Sequence, residues 1–341
     1  MLKILLIQEK SRHPINIEFR ECCCLRRAFE SLGQDVEIWG MGWENFRTLP
    51  DFNSYDLIIT MENYGDTWIP DFSKIQNPKK MLWTIDSHVR GLDPYIKIFN
   101  KGNYDILLQS TKNFVALDPN KKSIWFPNCF DDSLFPYTDW NRKEFFIGFC
   151  GSVQNRRPYL KRLQAWFGND FKENIWVLGP DMISAIQSYK INFNLNVGND
   201  INFRSFETLG AGSVLCTNDN SQYADLGFQD GVNCILFPHT FDLFTMTVNK
   251  TLGFGPRIST DLFTSAVNRD NFKKLQDRLA YYYANQAELE VLGKNSSTLS
   301  KRHTYKERAK LIMKNIDTGT LQGFDASLPG KTETGRDEGC L

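Results

Sequence analysis

Short apolar runs alternate with helically spaced segments along this chain, and the whole alternation occurs twice. In the first stretch the runs are LKILLI (2–7), DVEIWG (35–40), YDLIITM (55–61), KKMLWTID (79–86), YDILLQS (104–110) and KSIWFP (122–127). Each is bounded by polar residues, Gly or Pro, the pattern of strands buried on both faces of a parallel sheet. Residues 15–33 set Phe19, Cys22/Cys23, Leu25/Arg26 and Phe29 at helical spacing and stop at Gly33. Residues 1–140 therefore read as one doubly wound α/β domain.

Residues 135–144, FPYTDWNRKE, are polar and aperiodic and read as a linker. The alternation then restarts with FFIGFCG (145–151), a helix near 156–167, NIWVLG (174–179), a helix near 181–188, KINFNLNV (190–197), SVLCTN (213–218) and NCILFP (233–238). This predicts a second α/β domain over 145–300, with helical patterns prevailing from about 241 to 316. The tail, 317–341, is rich in Gly, Thr and charge and is expected to be disordered. Two such domains facing each other make a cleft, and ligands collect at the carboxyl ends of the strands.

Composition narrows the function. Forty basic residues balance forty acidic ones in 341, which leaves no overall electrostatic footprint for nucleic acid or an anionic membrane. No run reaches the roughly 18 apolar residues of a membrane span, and MLKILLIQEK suits a first strand better than a signal peptide. A cytoplasmic location is expected. The eight cysteines contain no CxxC pair, and the consecutive Cys22, Cys23 and Cys24 diverge on a helix, so reduced thiols are expected and no metal site.

Two stretches carry the chemistry of a phosphate site. In FFIGFCGSVQNRRPYLKRL (145–163) a strand runs into Gly151 and Ser152, then a polar loop, then Arg156 and Arg157 at the start of a helix. Glycine lets a phosphate approach the backbone, and arginine adds a fork of donors beside the helix N-terminus. In NFRSFETLGAGSVLCTND (202–219), Asn202 is a candidate N-cap that sets Arg204 and Glu207 on one face. The bland reading of that spacing is a surface i,i+3 ion pair. The functional reading puts the arginine on a diphosphate and the glutamate on ribose hydroxyls, with Gly210 and Gly212 permitting close helix–strand packing.

The order GFCGS…RR…YLKRL, INFNLNV…INFRSFETLGAGSVLCTN, DGVNCILF resembles the group 1 glycosyltransferases of GT-B fold, specifically the spore-maturation (CgeB-like) branch. The likeness spans about 145–316 and includes RHTYKERAKLIMKNI (302–316), similar to that branch's closing helix, which packs back on the first domain. The resemblance implies a GT-B fold: two facing Rossmann-like domains, an acceptor domain over 1–140 and a nucleotide-sugar domain over 145–300. It implies that Glu207 contacts the donor ribose and that Arg156 and Arg204 face the diphosphate, with Gly151, Ser152 and Gly212 completing the nucleotide site. The broader retaining relatives carry a glutamate where this chain has Asn199, so a strict E-x7-E site does not carry over and the stereochemical outcome stays open.

A third stretch, LWTIDSHVRGLDPY (82–95), puts Asp86 and His88 just after a strand of the first domain. His88 is the candidate base for an acceptor hydroxyl and Asp86, on the same side if the strand persists, would orient it. His13 is a weaker rival, and His239 and His303 sit in segments that suit packing. The expected function is transfer of a sugar from a nucleotide sugar, UDP-sugar foremost, to a hydroxyl acceptor on a glycan, lipid, protein or modified nucleobase. No D-x-D motif ends a strand of the second domain, so metal-independent transfer is expected. The alternatives are a nucleotide-sugar epimerase on the same scaffold and a non-catalytic glycan- or protein-binding domain.

Overall fold

The structure, a computed structural model, describes residues 1–63, 65–153, 156–196, 200–241 and 264–325. It contains two parallel sheets. The first has strands β1 (Lys3–Ile7), β2 (Asp35–Trp39), β3 (Leu57–Met61), β4 (Lys79–Thr84), β5 (Ile106–Gln109) and β6 (Ser123–Trp125) in the order β2-β1-β3-β4-β5-β6. Helices α1 (Glu21–Glu30), α2 (Ser87–Arg90) and α3 (Asp93–Lys101) follow β1 and β4. The near-continuous apolar strands are buried on both faces, and Ile4, Leu6, Leu57 and Ile59 pack with Leu25 and Phe29 of α1. Neighbouring strands β1 and β3 diverge in their onward connections, so their carboxyl ends form a switch point where a crevice opens.

The second sheet has β7 (Phe145–Gly151), β8 (Phe171–Ile175), β9 (Tyr189–Asn194), β10 (Val214–Asn218) and β11 (Cys234–Phe237) in the order β11-β10-β9-β7-β8. Its switch point lies between β7 and β9. Helices α4 (Arg157–Phe167), α5 (Gly179–Gln187), α6 (Phe203–Gly210) and α7 (Gln222–Asp225) connect the strands. The strand expected over 174–179 is shifted: β8 ends at Ile175, and α5 already starts at Gly179. An apolar run straddling a strand end and a helix start has no period that marks the boundary.

Helices α8 (Arg269–Ala284), α9 (Gln286–Ser300) and α10 (Tyr305–Thr318) complete the described chain. Leu275, Leu279, Leu289 and Leu292 of α8 and α9 join the core of the second sheet. By contrast, Tyr305, Ala309 and Ile312 of α10 sit in the core of the first, beside Trp83 and Phe126. Fully burying a side chain such as Ile312 contributes about 1.5–3 kcal/mol, which helps to fasten the returning helix. Buried Arg308 adds bonds from Nε to Pro127 O (2.7 Å) and from Nη2 to Asn128 O (3.1 Å). Burial pulls its pKa down to about 10, so it remains charged at neutral pH.

Two expectations fail here. The 135–144 stretch is not a loose linker: Phe135 and Trp140 are buried, and Lys143 Nζ bonds Ser213 Oγ (2.9 Å), Ala211 O (3.1 Å) and Gln187 O (3.2 Å). Nor is the tail structureless from 317. Phe324 N–H donates to Trp125 O at 2.8 Å, and its ring meets Trp125 edge-on at 5.6 Å and the Arg308 guanidinium at 4.5 Å. One aromatic residue with a cation and a tryptophan to cover outweighs the polar composition around it. Residues 326–341 lie outside the described residues.

Candidate functional site

The carboxyl ends of the two sheets face each other across a cavity of about 220 Å³. The first domain contributes Gln8 and Glu9 after β1, Glu62 and Asn63 after β3, Ile85 and Asp86 after β4, and Arg20, Glu21 and Arg90 from the adjoining helical segments. The second contributes Asp200, Asn202 and Phe203 at the approach to α6. The first-domain wall is built as one unit. Glu9 N–H donates to Asn63 Oδ1 (2.7 Å), Gln8 Nε2 to Glu21 Oε2 (2.7 Å), and Arg90 pairs with Glu62 at 3.2 Å. Glu62 Oε2 accepts the N–H groups of Ile85 (2.7 Å) and Asp86 (2.8 Å) and so holds the turn from β4 into α2.

That turn alters the expected relation between Asp86 and His88. Because α2 begins at Ser87, the strand's two-residue repeat ends at the turn, and Asp86 and His88 leave the backbone in different directions. The partner of His88 is Asp200 of the other domain, Nδ1 to Oδ1 at 3.7 Å, with both side chains about a tenth exposed (11% and 9%). Asp86 lines the cavity and His88 does not. Burial pushes the Asp86 carboxyl up to about 6, with Glu62 adding to the shift and Arg90 opposing it. Asp200 is likewise raised to about 6 by burial, against the pull of His88.

On the second domain, β7 delivers Gly151 with φ +155°, a conformation in which L side chains are strained, and Ser152 follows. Arg156 Nη1 donates back to Ser152 O at 3.2 Å, which closes the turn ahead of α4. Burial pulls the Arg156 pKa down to about 10; the Arg204 charge lowers it further and Asp200 raises it. Arg156 and Arg204 follow β7 and β9, the strands on either side of this sheet's switch point. Arg204 Nη1 meets Glu207 Oε2 at 2.7 Å, with side-chain exposures of 17% and 15%. The i,i+3 pair exists and is half-buried rather than fully solvated, and burial raises the Glu207 pKa while Arg204 lowers it. Glu207 borders a second cavity of about 110 Å³, which shares Glu21 and Phe203 with the first.

Three details depart from the sequence reading. Asn202 occupies the N-cap position of α6, yet its side chain makes no cap; it is tied to Asn194, whose Nδ2 donates to Asn202 Oδ1 at 3.0 Å. Gly212 is at the opposite end of α6, before β10, so it does not reach a nucleotide at the strands' carboxyl ends. With φ +69° and the Tyr137 ring only 2.5 Å from where a Cβ would stand, it serves the packing of the 135–144 stretch. Asn199 lies outside the described residues. Among the four histidines, His239 Nδ1 bonds Tyr159 OH (2.7 Å), His303 Nε2 bonds Leu226 O (2.9 Å), and exposed His13 lines a separate pocket with Arg12 and Asn16.

Asp200, Glu62, Arg90, Arg20 and Glu21 were not anticipated from sequence. Glu62 stands one residue beyond an apolar strand, just as Asp86 follows β4, so the strand-end rule applied evenly would have found it. Asp200 carries no such signal.

Residues 144–249 match a protein family described as "Glycosyl transferase-like". No curated protein matches the chain in sequence. Among solved structures, Anabaena HepE in complex with UDP and glucose is similar at a TM-score of 0.57 and 12% identity, covering 93% of this chain and 100% of that one. Sucrose-phosphate synthase from Thermosynechococcus elongatus is similar at 0.58 and 11%, covering 93% and 98%. An α-glucosyltransferase in complex with UDP and a 13-mer DNA is similar at 0.63 and 8%, covering 93% and 100%. The fold is GT-B. In GT-B terms the first sheet and α10 form the N-terminal half of the molecule, and the second sheet with α8 and α9 forms the C-terminal half. Among the described residues, no helix is long and apolar enough to cross a membrane.

Proposed function

We propose that this protein transfers a sugar from a nucleoside-diphosphate sugar, UDP-sugar foremost, to a hydroxyl acceptor. The observation that carries the reading is that Arg156, at the start of α4, and the Arg204–Glu207 pair, on α6, follow β7 and β9, the two strands that flank the second sheet's switch point. Two half-buried cations at one switch point suit a ligand with at least two negative charges. Beside them Glu207, with one oxygen on Arg204, keeps acceptor capacity for two ribose hydroxyls. HepE and the α-glucosyltransferase were both solved with UDP, in keeping with that donor. The comparisons lend no support to the epimerase alternative. The CgeB-like branch is retained as part of the proposal on the sequence likeness alone.

In the proposed reaction the acceptor oxygen bonds the anomeric carbon, the bond from that carbon to the diphosphate oxygen breaks, and the acceptor proton passes to a carboxylate of the first domain. Asp86 suits that step better than His88, since it lines the cavity and titrates near 6, close to the working pH. His88, engaged with Asp200, becomes the group that positions one wall against the other. Arg156 and Arg204 stabilise the leaving diphosphate, and no divalent ion is required for that charge. Incubation with UDP-glucose should release UDP slowly without acceptor and equally in EDTA. Binding of UDP-glucose without any release identifies a binding domain instead, and loss of release in EDTA with recovery on adding manganese or magnesium overturns the metal-free mechanism.

A further inference from the structure

A pocket of about 320 Å³ lies beside the main cavity and is formed by the first-domain chain between β1 and α1. Its polar lining is Ser11, Arg12, His13, Asn16, Arg20 and Glu21; the last two also line the main cavity, so the two spaces meet at that pair. The loop is held at several points. Lys10 N–H donates to Met41 O at 2.8 Å and Asn16 N–H to His13 O at 2.9 Å. Asn16 Oδ1 accepts the N–H of Gly179, at the start of α5 in the second domain, at 2.9 Å. What this lining can offer a ligand is almost entirely hydrogen-bond donors. Asn16 has its oxygen on Gly179, which leaves its NH2. Ser11 Oγ accepts the His13 N–H at 3.2 Å and keeps its own proton to donate. The guanidinium groups of Arg12 and Arg20 only donate, and an imidazole in either charge state carries an N–H. The one carboxylate is engaged: Glu21 Oε2 accepts from Gln8 Nε2 at 2.7 Å and faces Arg20 Nη1 at 3.6 Å. Past Arg20 the sign reverses, because the first-domain wall of the main cavity holds Glu9, Glu62 and Asp86.

We propose that this pocket binds a phosphate carried by the acceptor substrate, which is therefore a phosphorylated alcohol; the assignment rests on the transfer reaction proposed above. A phosphate monoester presents acceptor oxygens and about two negative charges near neutral pH, the complement of a lining that donates. The pocket's volume lies within the range of small-molecule sites, about 300–1,000 Å³, so it has room for more than a bare ion. With its phosphate on Arg12 and Arg20, the molecule extends past Glu21 into the main cavity, where its hydroxyl meets Asp86. The acidic wall fixes that orientation, since a phosphate pushed further in would face carboxylates, whereas a hydroxyl donates to them. The two anions of the reaction are thus received on opposite domains, the donor diphosphate by Arg156 and Arg204 and the acceptor phosphate by Arg12 and Arg20.

Calorimetry on the full chain tests this, with inorganic phosphate titrated into protein already saturated with UDP. The wild type should bind phosphate, and Arg12→Ala should weaken that binding about 10- to 150-fold with UDP affinity unchanged. Arg12 is exposed, so the variant should melt like the wild type. Phosphate that UDP displaces marks the donor's own site, and phosphate that Arg12→Ala binds as well as the wild type does is an adventitious ion only; either result overturns the assignment. A small-molecule cell extract is then offered with labelled UDP-glucose, before and after digestion by an immobilised phosphatase. UDP release should rise with the undigested extract only. Equal release with the two extracts overturns the phosphorylated acceptor in favour of a neutral or carboxylate-bearing one. Protein that binds phosphate through Arg12 but binds no UDP overturns the donor-site reading instead.

Discussion

Replacing Glu207 by Gln removes a half-buried charge at nearly constant shape, which makes it the sharpest test of the donor site. In the native protein Oε2 of Glu207 meets Arg204 Nη1 at 2.7 Å, and the carboxylate lies near Phe130 and Phe203 with little water. A hydrogen bond to a charged group contributes about 1.5–3 kcal/mol, and the neutral amide offers the ribose a poorer acceptor. Glu207→Gln should therefore weaken UDP about 10- to 150-fold. Breaking a buried ion pair also destabilises a protein, by up to about 3–5 kcal/mol when one partner is removed outright, so affinity has to be read on protein shown to be folded. Calorimetry with UDP, calorimetry with pyrophosphate and thermal unfolding by circular dichroism separate the effects. UDP weakened with pyrophosphate unchanged supports ribose recognition. Equal losses for both ligands mean that Glu207 acts only by holding Arg204. An unchanged UDP affinity in folded Glu207→Gln refutes the reasoning and reduces the pair to packing.

Asp86→Asn should lower turnover about 10²–10⁴-fold with nucleotide affinity unchanged, whereas His88→Ala should cost less and act mainly on acceptor KM; the reverse ranking in steady-state kinetics restores His88 as the base. Since the ionised form of Asp86 is the active one and it titrates near 6, kcat/KM should fall about tenfold per pH unit below that value and level off above it. A pH–rate profile flat from 5 to 8 contradicts this. Asp200 is raised from 3.8 to about 6, so the folded state holds its proton more tightly than the unfolded chain does. Its favourable contribution is complete below about pH 4 and is lost as pH rises through about 6, a change of up to ~3 kcal/mol. Asp200→Asn should flatten the melting temperature between pH 4 and 7, and an unaltered pH dependence refutes the assignment.

The doubly wound architecture was legible because buried parallel strands have to be short apolar runs, and LKILLI, LIITM and MLWT admit little else. The positions of Arg156 and Arg204 were legible for the same reason, since they follow strands or start helices. What the sequence hid depends on contacts between distant segments. Asp200 matters because the fold sets it beside His88, 112 positions away (200 − 88). Asp86 points away from its neighbour because the strand stops two residues sooner than its composition suggests, at Thr84. Gly212, expected in the nucleotide site from the family resemblance, follows the carboxyl end of α6 and faces Tyr137, a contact that only the fold reveals. Lys143 and Phe324 sit in stretches whose average polarity is high, and averages conceal the single residue with a partner waiting elsewhere in the fold.

Arg204 has to serve two anions at once if the donor reading is right, and its present partners show how it would manage. Nη1 holds Glu207 at 2.7 Å, while Nη2 donates to Met182 Sδ at 3.1 Å. A thioether is a weak acceptor, so Nη2 gives up little when a phosphate oxygen takes its place. The guanidinium plane then bridges the Glu207 carboxylate and the diphosphate with its geometry fixed beforehand, which an ammonium group on a flexible stem cannot do. Arg204→Lys keeps the charge and loses the fork. Against a purely electrostatic role, in which lysine substitutes almost fully, the fork predicts that Arg204→Lys weakens UDP and pyrophosphate together, by about tenfold or more for the loss of one charge-assisted bond. Glu207→Gln and Arg204→Lys should then be non-additive for UDP, since each variant already disrupts the other's bond. Full additivity in the double-mutant cycle, or wild-type affinity in Arg204→Lys, would show that the two residues do not act as one unit on the donor.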